Sequence, residues 1–359
     1  MRVGILTFSR ANNYGAALQA FALLKKMQAL RFDAQLIDYA CPAIDAMHAK
    51  RPVGKGIPIR KKISNLLYNT VFSPRRRAFR RFREAWGQSR PYDARNIAES
   101  NRDYDLFVTG SDQVFNLPLT GNDTSYFLDF VGEGKKKASY AASIGIFLPE
   151  EKEKYRTLLS DFSAVSVREP SAAALLEPLL GAAPALMPDP VFLHKPDEWR
   201  DLLGVRKKKG RPYLLIYALV ENRELYTRAC AIAKKRGLRT VVLTRSLKPA
   251  GKTDRVLRSA GPREFVALID NASFVVTNSF HGTVFSLLFE KEISVVPPPA
   301  APERIIDLLE SMSLGRLLEP PVNGDAGDAI DFAPVHAALA AYRETGEAFL
   351  RALSDEEHG

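Results

Sequence analysis

The sequence predicts an α/β chain of two doubly wound, Rossmann-like domains, and three observations carry that prediction. Short apolar runs alternate with stretches of helical periodicity, two such alternating sets follow one another, and a polar segment bounded by proline and glycine separates them. With 359 residues and 46% hydrophobic side chains, the chain has material for two cores.

The first set opens with "RVGILTF" (2–8), a buried strand, then Tyr14, Leu18, Phe21 and Leu24 at helical spacing, then the strand "AQLIDY" (34–39), which makes a βαβ unit. The runs "YDLFVTG" (104–110), "ASYAASIG" (138–145), "AVSVRE" (164–169) and "PALMPDPVFL" (184–193) continue it. The second set comprises "PYLLIYAL" (212–219), "RTVVLT" (239–244), "SFVVTN" (273–278) and "EISVVP" (292–297), with helices expected at 222–236, 262–271 and 281–290. The expected division is therefore an N-terminal domain over 1–193 that carries a helical insertion at about 50–90, a linker at 194–211, and a C-terminal domain over 212–320. A tail over 321–359 starts with the turn-rich "PVNGDAGD" and ends in a helix from Pro334 to about Leu353 that packs back.

Composition narrows the classes. "MRVGILTF" has neither the length of a membrane span nor a cleavage pattern, so a cytoplasmic chain is expected, with peripheral attachment to the inner face of the membrane as a variant. Cys41 and Cys230 have no C-x-x-C spacing and are expected as buried, reduced thiols. No histidine and carboxylate cluster has metal-ligand spacing, so neither a metal nor a cofactor is expected. The net charge of +10 is concentrated: residues 50–90 hold 13 Lys or Arg against Glu84 alone. Solvated basic helices, attraction to an anionic membrane surface, and nonspecific attraction to nucleic acid all fit such a run. No motif for specific nucleic-acid binding accompanies it.

In open parallel sheets, ligands bind where strands exit, because loops and helix N-termini there present backbone N–H groups. The first strand exits into Asn12, Asn13, Tyr14, Gly15 and Gln19, and the third into Ser111, Asp112, Gln113 and Asn116. Further exits carry Ser143, Arg168 and "TNSFHG". Asn12, Asn13 and Gly15 are also ordinary turn formers, and Ser111 or Asp112 could cap a helix. Arg168 either pairs with Glu169, ahead of a helix starting at Pro170, or offers its planar fork to a phosphate or carboxylate. His281 stands where a helix N-terminus suits a bound phosphate, with Gly282 permitting close approach.

Together "ILTFSRANNYGAALQAFALLKKM", "YDLFVTGSDQVFN", "YFLDF", "SYAASIG", "SVREPSA", "DPVFL", "FVVTNSFHGTVFSLLF" and "VVPPP" resemble the polysaccharide pyruvyl transferase family, in order and as far as about residue 318. The resemblance implies two domains facing across a cleft, similar to the GT-B glycosyltransferases. It also implies transfer of a pyruvyl group from phosphoenolpyruvate onto two hydroxyls of a saccharide, lipid-linked or not, to give a cyclic ketal in exopolysaccharide or capsule biosynthesis. On that reading His281 carries a proton transfer or binds the phosphate, and Asp112 is the spare base. Arg168, Asn278, Ser279, Gly282 and Thr283 bind the donor, while Asn12, Asn13, Tyr14, Gln19, Ser111 and Gln113 bind the acceptor. One departure stands out: other branches place an arginine two residues before the histidine, where this chain has Ser279, so a cation must come from elsewhere. The rival readings are a glycosyltransferase of the same architecture using a nucleotide sugar, and a noncatalytic anion- or membrane-binding module centred on 50–90.

Overall fold

The computed structural model describes residues 1–208, 210–299, 302–318 and 329–355. The expected loop at 321–328 lies outside them. The chain divides into two compact units, one made of Met1–Ala49, Arg83–His194 and Ala340–Gly359, the other of Lys50–Phe82 and Lys195–Leu339.

In the first unit β1 (Arg2–Leu6) leads through α1 (Tyr14–Ala29) to β2 (Asp33–Leu36) and β3 (Asp38–Tyr39), followed by α2 (Pro42–His48). Helices α3 (Ile59–Val71) and α4 (Ser73–Glu84) come next in the chain, then β4 (Pro91–Tyr92), β5 (Leu106–Asp112), α5 (Leu117–Thr120), β6 (Lys136–Ala142) and α6 (Lys152–Leu159). Strand β7 (Ser166–Val167), α7 (Pro170–Leu180) and β8 (Ala185–Leu186) complete it. Six strands form an all-parallel sheet in the order β2-β1-β5-β6-β7-β8, so the winding reverses between β1 and β5. The "AQLIDY" run breaks into β2 and β3, and β3 pairs with β4 in a separate two-stranded sheet. The "PALMPDPVFL" run contributes only the two residues of β8 before turning into a 3-10 helix at Pro190–Leu193, because Asp189 caps the turn by accepting from Val191 N at 3.0 Å.

The second unit runs α8 (Pro196–Leu203), β9 (Tyr213–Ala218), α9 (Arg223–Arg236), β10 (Arg239–Thr244), β11 (Arg255–Leu257), α10 (Pro262–Asp270), β12 (Phe274–Thr277), α11 (Phe280–Leu288), β13 (Glu292–Val295) and α12 (Glu303–Ser311), followed by α13 (Phe332–Asp355), whose residues from Ala340 on belong to the first unit. Its parallel sheet has the order β11-β10-β9-β12-β13, with the winding reversed between β9 and β12. Strand β9 is buried along its whole length because both faces are covered. Leu214, Ile216 and Ala218 join a core with Leu225, Ala229 and Ile232 of α9, while Tyr217 on the opposite face meets the Phe265 ring of α10 at 4.9 Å.

Three expectations are corrected here. The basic helices group with the second unit as far as Phe82, although they interrupt the first unit in sequence. One contact fixes this: a Cβ on Gly261, ahead of α10, would lie 2.7 Å from the Ala78 Cβ of α4. The segment 194–211 is no extended linker, since α8 buries Trp199 against Phe285 at 5.1 Å and Arg200 grips the Asp270 carboxylate with two bonds of 2.9 and 2.8 Å. Finally, Cys41 is buried but Cys230 is exposed on α9, whose inward face is taken by Leu225, Ala229 and Ile232. Helix α13 is fixed by apolar contacts of its second half, with Tyr342 against Phe192 at 5.6 Å and Phe349 against Tyr140 at 5.9 Å. Among the described residues no helix is long and apolar enough to cross a membrane.

Candidate functional site

At the reversal point of the second sheet, the exits of β9 and β12 are stitched together by side chains. The Thr277 hydroxyl donates to Tyr217 O at 2.9 Å and accepts from Ser279 N at 3.1 Å. Asn278 accepts from Leu219 N at 2.9 Å and donates to Val220 O at 2.6 Å. Ser279, in extended conformation, caps α11 by accepting from Gly282 N at 3.3 Å, and the Thr283 hydroxyl donates back to Ser279 O at 3.1 Å. Asn278, Ser279 and Thr283 are thus buried parts of the turn itself, so the sequence reading that gave their side chains to a donor is corrected: they build the turn that aims α11. Gly282 sits where a Cβ would be 2.5 Å from Thr277 Oγ1 and 2.9 Å from Tyr217 Cδ1, which explains glycine at this position.

The turn presents His281 on the first turn of α11, 7% exposed and edge-on to Phe280 at 5.2 Å. The Arg304 guanidinium of α12 stands over the Phe280 ring, at 5.1 Å. Tyr217 reports two more cations: burial pushes its hydroxyl above the ordinary value, while Arg75 of α4, the bond with Ser279 and Arg245 after β10 act in the opposite direction. Arg75 is 4% exposed, with its guanidinium 5.2 Å from the Phe79 ring. Arg75 and Arg245 thus act on the buried Tyr217 hydroxyl beside the turn, and Arg304 stands over the ring of Phe280, the residue after Ser279. Sequence reasoning missed them because it did not read the β10 exit, "TRSLK", as a ligand edge and assigned the basic helices to the other domain.

Beside this turn lies a cavity of about 460 Å³, lined by Ala218 and Leu219 after β9, Thr244 to Lys248 after β10, Glu221, and Arg51, Ser64 and Tyr68 of the basic segment. Its floor is pinned by Arg258, which donates to Ser246 O at 2.9 Å and Leu247 O at 3.0 Å. Its one carboxylate, Glu221, is held by the Thr244 hydroxyl, by Tyr226 at 3.0 Å and by Ala250 N at 2.7 Å. Arg51, Arg245 and Lys248 leave the lining cationic.

In the first unit, a buried polar chain crosses the reversal between β1 and β5. Gln19 donates to the Thr7 hydroxyl at 2.9 Å and accepts from Ser111 N at 3.1 Å, and Thr7 donates to Ser111 O at 2.9 Å. The Ser111 hydroxyl donates to Ala141 O at 2.8 Å and meets Arg168 Nη1 at 3.5 Å. Arg168 in turn donates to Asp189 at 2.7 Å and to Glu169 at 3.0 Å, with only 4% of its side chain exposed. Burial by itself would lower the pKa of this guanidinium, but Glu169, Asp189 and Asp112 outweigh it and hold the group above its ordinary value, firmly charged. Arg168 is thus a buried cation held by Asp189 and Glu169 at the edge of this polar chain.

Tyr14, Gln19 and Ser111, expected to bind the acceptor, are likewise fully buried. Asn12, Asn13, Asp112 and Gln113 stand half-buried at the strand exits. Asn13 caps α1 by accepting from Gly15 N at 2.9 Å, and Asn12 accepts from Arg83 at 3.2 Å. Asp112 adopts a left-handed φ of 75°, and its carboxylate accepts from Gln113 N at 2.9 Å. A larger cavity of about 660 Å³ in this unit is lined by Pro42, Ile97, Asp123 and Phe130 among others, and by none of the residues expected to do chemistry. Among the described residues no three His, Cys, Asp or Glu side chains stand where they could hold a metal ion.

Two parallel, doubly wound sheets with polar residues gathered at their reversal points define a protein of the Rossmann-like α/β class. The chain belongs to the polysaccharide pyruvyl transferase family, whose model matches residues 13–296. Among curated proteins none matches it. Solved structures with similar folds include the glycosyltransferase SnogD from Streptomyces nogalater, with 14% identity, 99% of this chain and 98% of that one covered, and a TM-score of 0.41. UDP-GlcNAc 2-epimerase from Neisseria meningitidis bound to UDP-GlcNAc shows 11% identity, coverages of 95% and 100%, and a TM-score of 0.48. Arabidopsis thaliana UGT89C1 complexed with UDP shows 10% identity, coverages of 98% and 99%, and a TM-score of 0.47.

Proposed function

We propose that this transferase of polysaccharide biosynthesis moves the pyruvyl group of phosphoenolpyruvate onto two hydroxyls of a saccharide, forming a cyclic ketal. One observation carries the reading: within this family, His281 occupies the first turn of α11 at the sheet reversal, where Arg304 faces the neighbouring Phe280 ring and Arg75 and Arg245 act on the buried Tyr217 hydroxyl. Phosphoenolpyruvate bears a phosphate and a carboxylate, and a helix N-terminus with three guanidinium groups nearby suits both.

In the proposed reaction His281 delivers a proton to the methylene carbon, leaving an oxocarbenium-like centre at C2. A saccharide hydroxyl adds there and gives up its proton to a general base. The C2–O bond to phosphate then breaks, the second hydroxyl closes the ring, and inorganic phosphate carries away the remaining proton. The two hydroxyl protons thus account for the new methyl hydrogen and for the protonated phosphate. Arg75, Arg245 and Arg304 supply the positive charge that steadies the departing dianion.

The test is incubation of the full chain with phosphoenolpyruvate and a panel of saccharides. Phosphate release coupled to a pyruvate-sized mass gain on the sugar is expected, and a mass gain that requires a nucleotide sugar instead would overturn the reading.

A further inference from the structure

Helix α3 is amphipathic in the inverted sense. Its inward side is polar: Asn65 donates to Pro52 O at 2.7 Å, and Asn69 clasps the Arg51 backbone by accepting from its N at 2.9 Å and donating to its O at 2.8 Å. Its outward side is a stripe of Ile59, Ile63, Leu66 and Leu67, spaced i, i+4, i+7 and i+8, with exposures of 69%, 63%, 60% and 54%. Successive residues turn by about 100° around a helix, so Arg60 and Lys62 fall on the two flanks of that stripe. Lys55 in the preceding turn and Arg77, Arg80 and Arg81 on α4 are exposed cations of the same segment.

We propose that α3 docks on the surface of an anionic lipid bilayer, with the aliphatic stripe immersed at the headgroup boundary and the flanking cations against the lipid charges. The charge and the stripe choose this occupant together. Nucleic acid would satisfy the cations and leave four aliphatic side chains in water. A second copy seated on the stripe would bring two strongly cationic segments face to face. An anionic bilayer answers both features at once, in the manner of helices that lie in the membrane interface. This holds whatever reaction the site performs, because Ser64 and Tyr68, the α3 residues that line the cavity, lie outside the aliphatic stripe.

Flotation of the full chain with vesicles tests it. Binding is expected to phosphatidylcholine vesicles containing phosphatidylglycerol, and not to phosphatidylcholine alone. The double variant Ile63→Ser with Leu67→Ser should lower partition by roughly tenfold or more, since each removes buried CH₂ groups. Arg60→Gln and Lys62→Gln should each lower it by about fivefold and flatten its salt dependence. All four side chains lie on the outer side and flanks of the helix, so an unchanged circular dichroism spectrum is expected; should the double variant misfold, Leu66→Ser alone gives the same readout. Absence of binding to anionic vesicles, or binding indifferent to the stripe, overturns the proposal. So does a dimer in light scattering that the stripe variants dissolve, which would make a second copy the occupant.

Discussion

The Arg168 guanidinium lies 2.7 Å from the Asp189 carboxylate, with the arginine side chain 4% exposed and the aspartate fully buried. Glu169 takes the Nε side at 3.0 Å, so one cation bridges two buried carboxylates at the edge of the polar chain that runs through Ser111 and Gln19. Removing the cation strands both acids in a low-dielectric interior. Arg168→Met is therefore expected to cost about 3–5 kcal/mol, read as a lower urea midpoint. Asp189→Asn, which leaves Glu169 as partner, should cost less. A variant of Arg168 with full stability and a raised KM for phosphoenolpyruvate would return this residue to the donor site.

The turn that carries His281 depends on a missing side chain at Gly282. A methyl group there would be driven into Thr277 Oγ1 and the Tyr217 ring, both anchored by the β9–β12 stitching. Gly282→Ala should destabilise by about 1–3 kcal/mol, the range for overpacking, and should lower turnover as α11 shifts. Ser279→Ala removes only the cap, at about 1 kcal/mol. Comparing the two in urea melts and in phosphate release separates the packing of the turn from its capping.

The two thiols should differ sharply. Burial pushes the Cys41 thiol up to about 11 from an ordinary value of 9.0, and it is 1% exposed, whereas Cys230 is exposed. A maleimide at pH 8 is expected to add once to the folded chain, at Cys230, and twice in urea; two adducts on the folded chain would contradict the packing around Cys41. Because the folded thiol is the weaker acid, Cys41 contributes stability that is fully present below pH 9 and is lost as pH rises to about 11. The stability difference between the native chain and Cys41→Ala should shrink across that window.

Much of this was legible in the sequence, and the exceptions have physical causes. The exits of β1, β5 and β12 were readable because an apolar run buried on both faces stops abruptly at polar residues. Helix α8 was hidden in a stretch whose prolines, glycines and charges resemble a linker, although Trp199 and Leu203 at i and i+4 mark its buried side. The membership of α3 and α4 in the second unit has no local signature, since it is decided by packing such as Ala78 on Gly261. Arg168 was correctly placed next to a strand exit, but its partner Asp189 lies 21 residues on in "MPDPVFL", and no periodicity announces that pair. The cations that act on Tyr217 and face Phe280 come from sequence positions 75, 245 and 304, a grouping that only the fold creates.

His281 is the residue on which the proposed chemistry turns. Its ring is held edge-on to Phe280 on the first turn of a helix whose direction is set by the Ser279 cap, so the imidazole can be changed without unmaking the turn. His281→Asn retains a polar side chain of smaller size and removes the acid. If His281 protonates the methylene carbon, phosphate release in the presence of phosphoenolpyruvate and acceptor should fall by about 10²–10⁴-fold, with the urea midpoint little changed. Should it bind phosphate without moving a proton, the loss should appear in KM while kcat holds. Proton transfer to the methylene carbon can also be followed in heavy water, where a working acid writes deuterium into the new methyl group. Undiminished turnover and deuterium incorporation in His281→Asn would assign the acid to another residue.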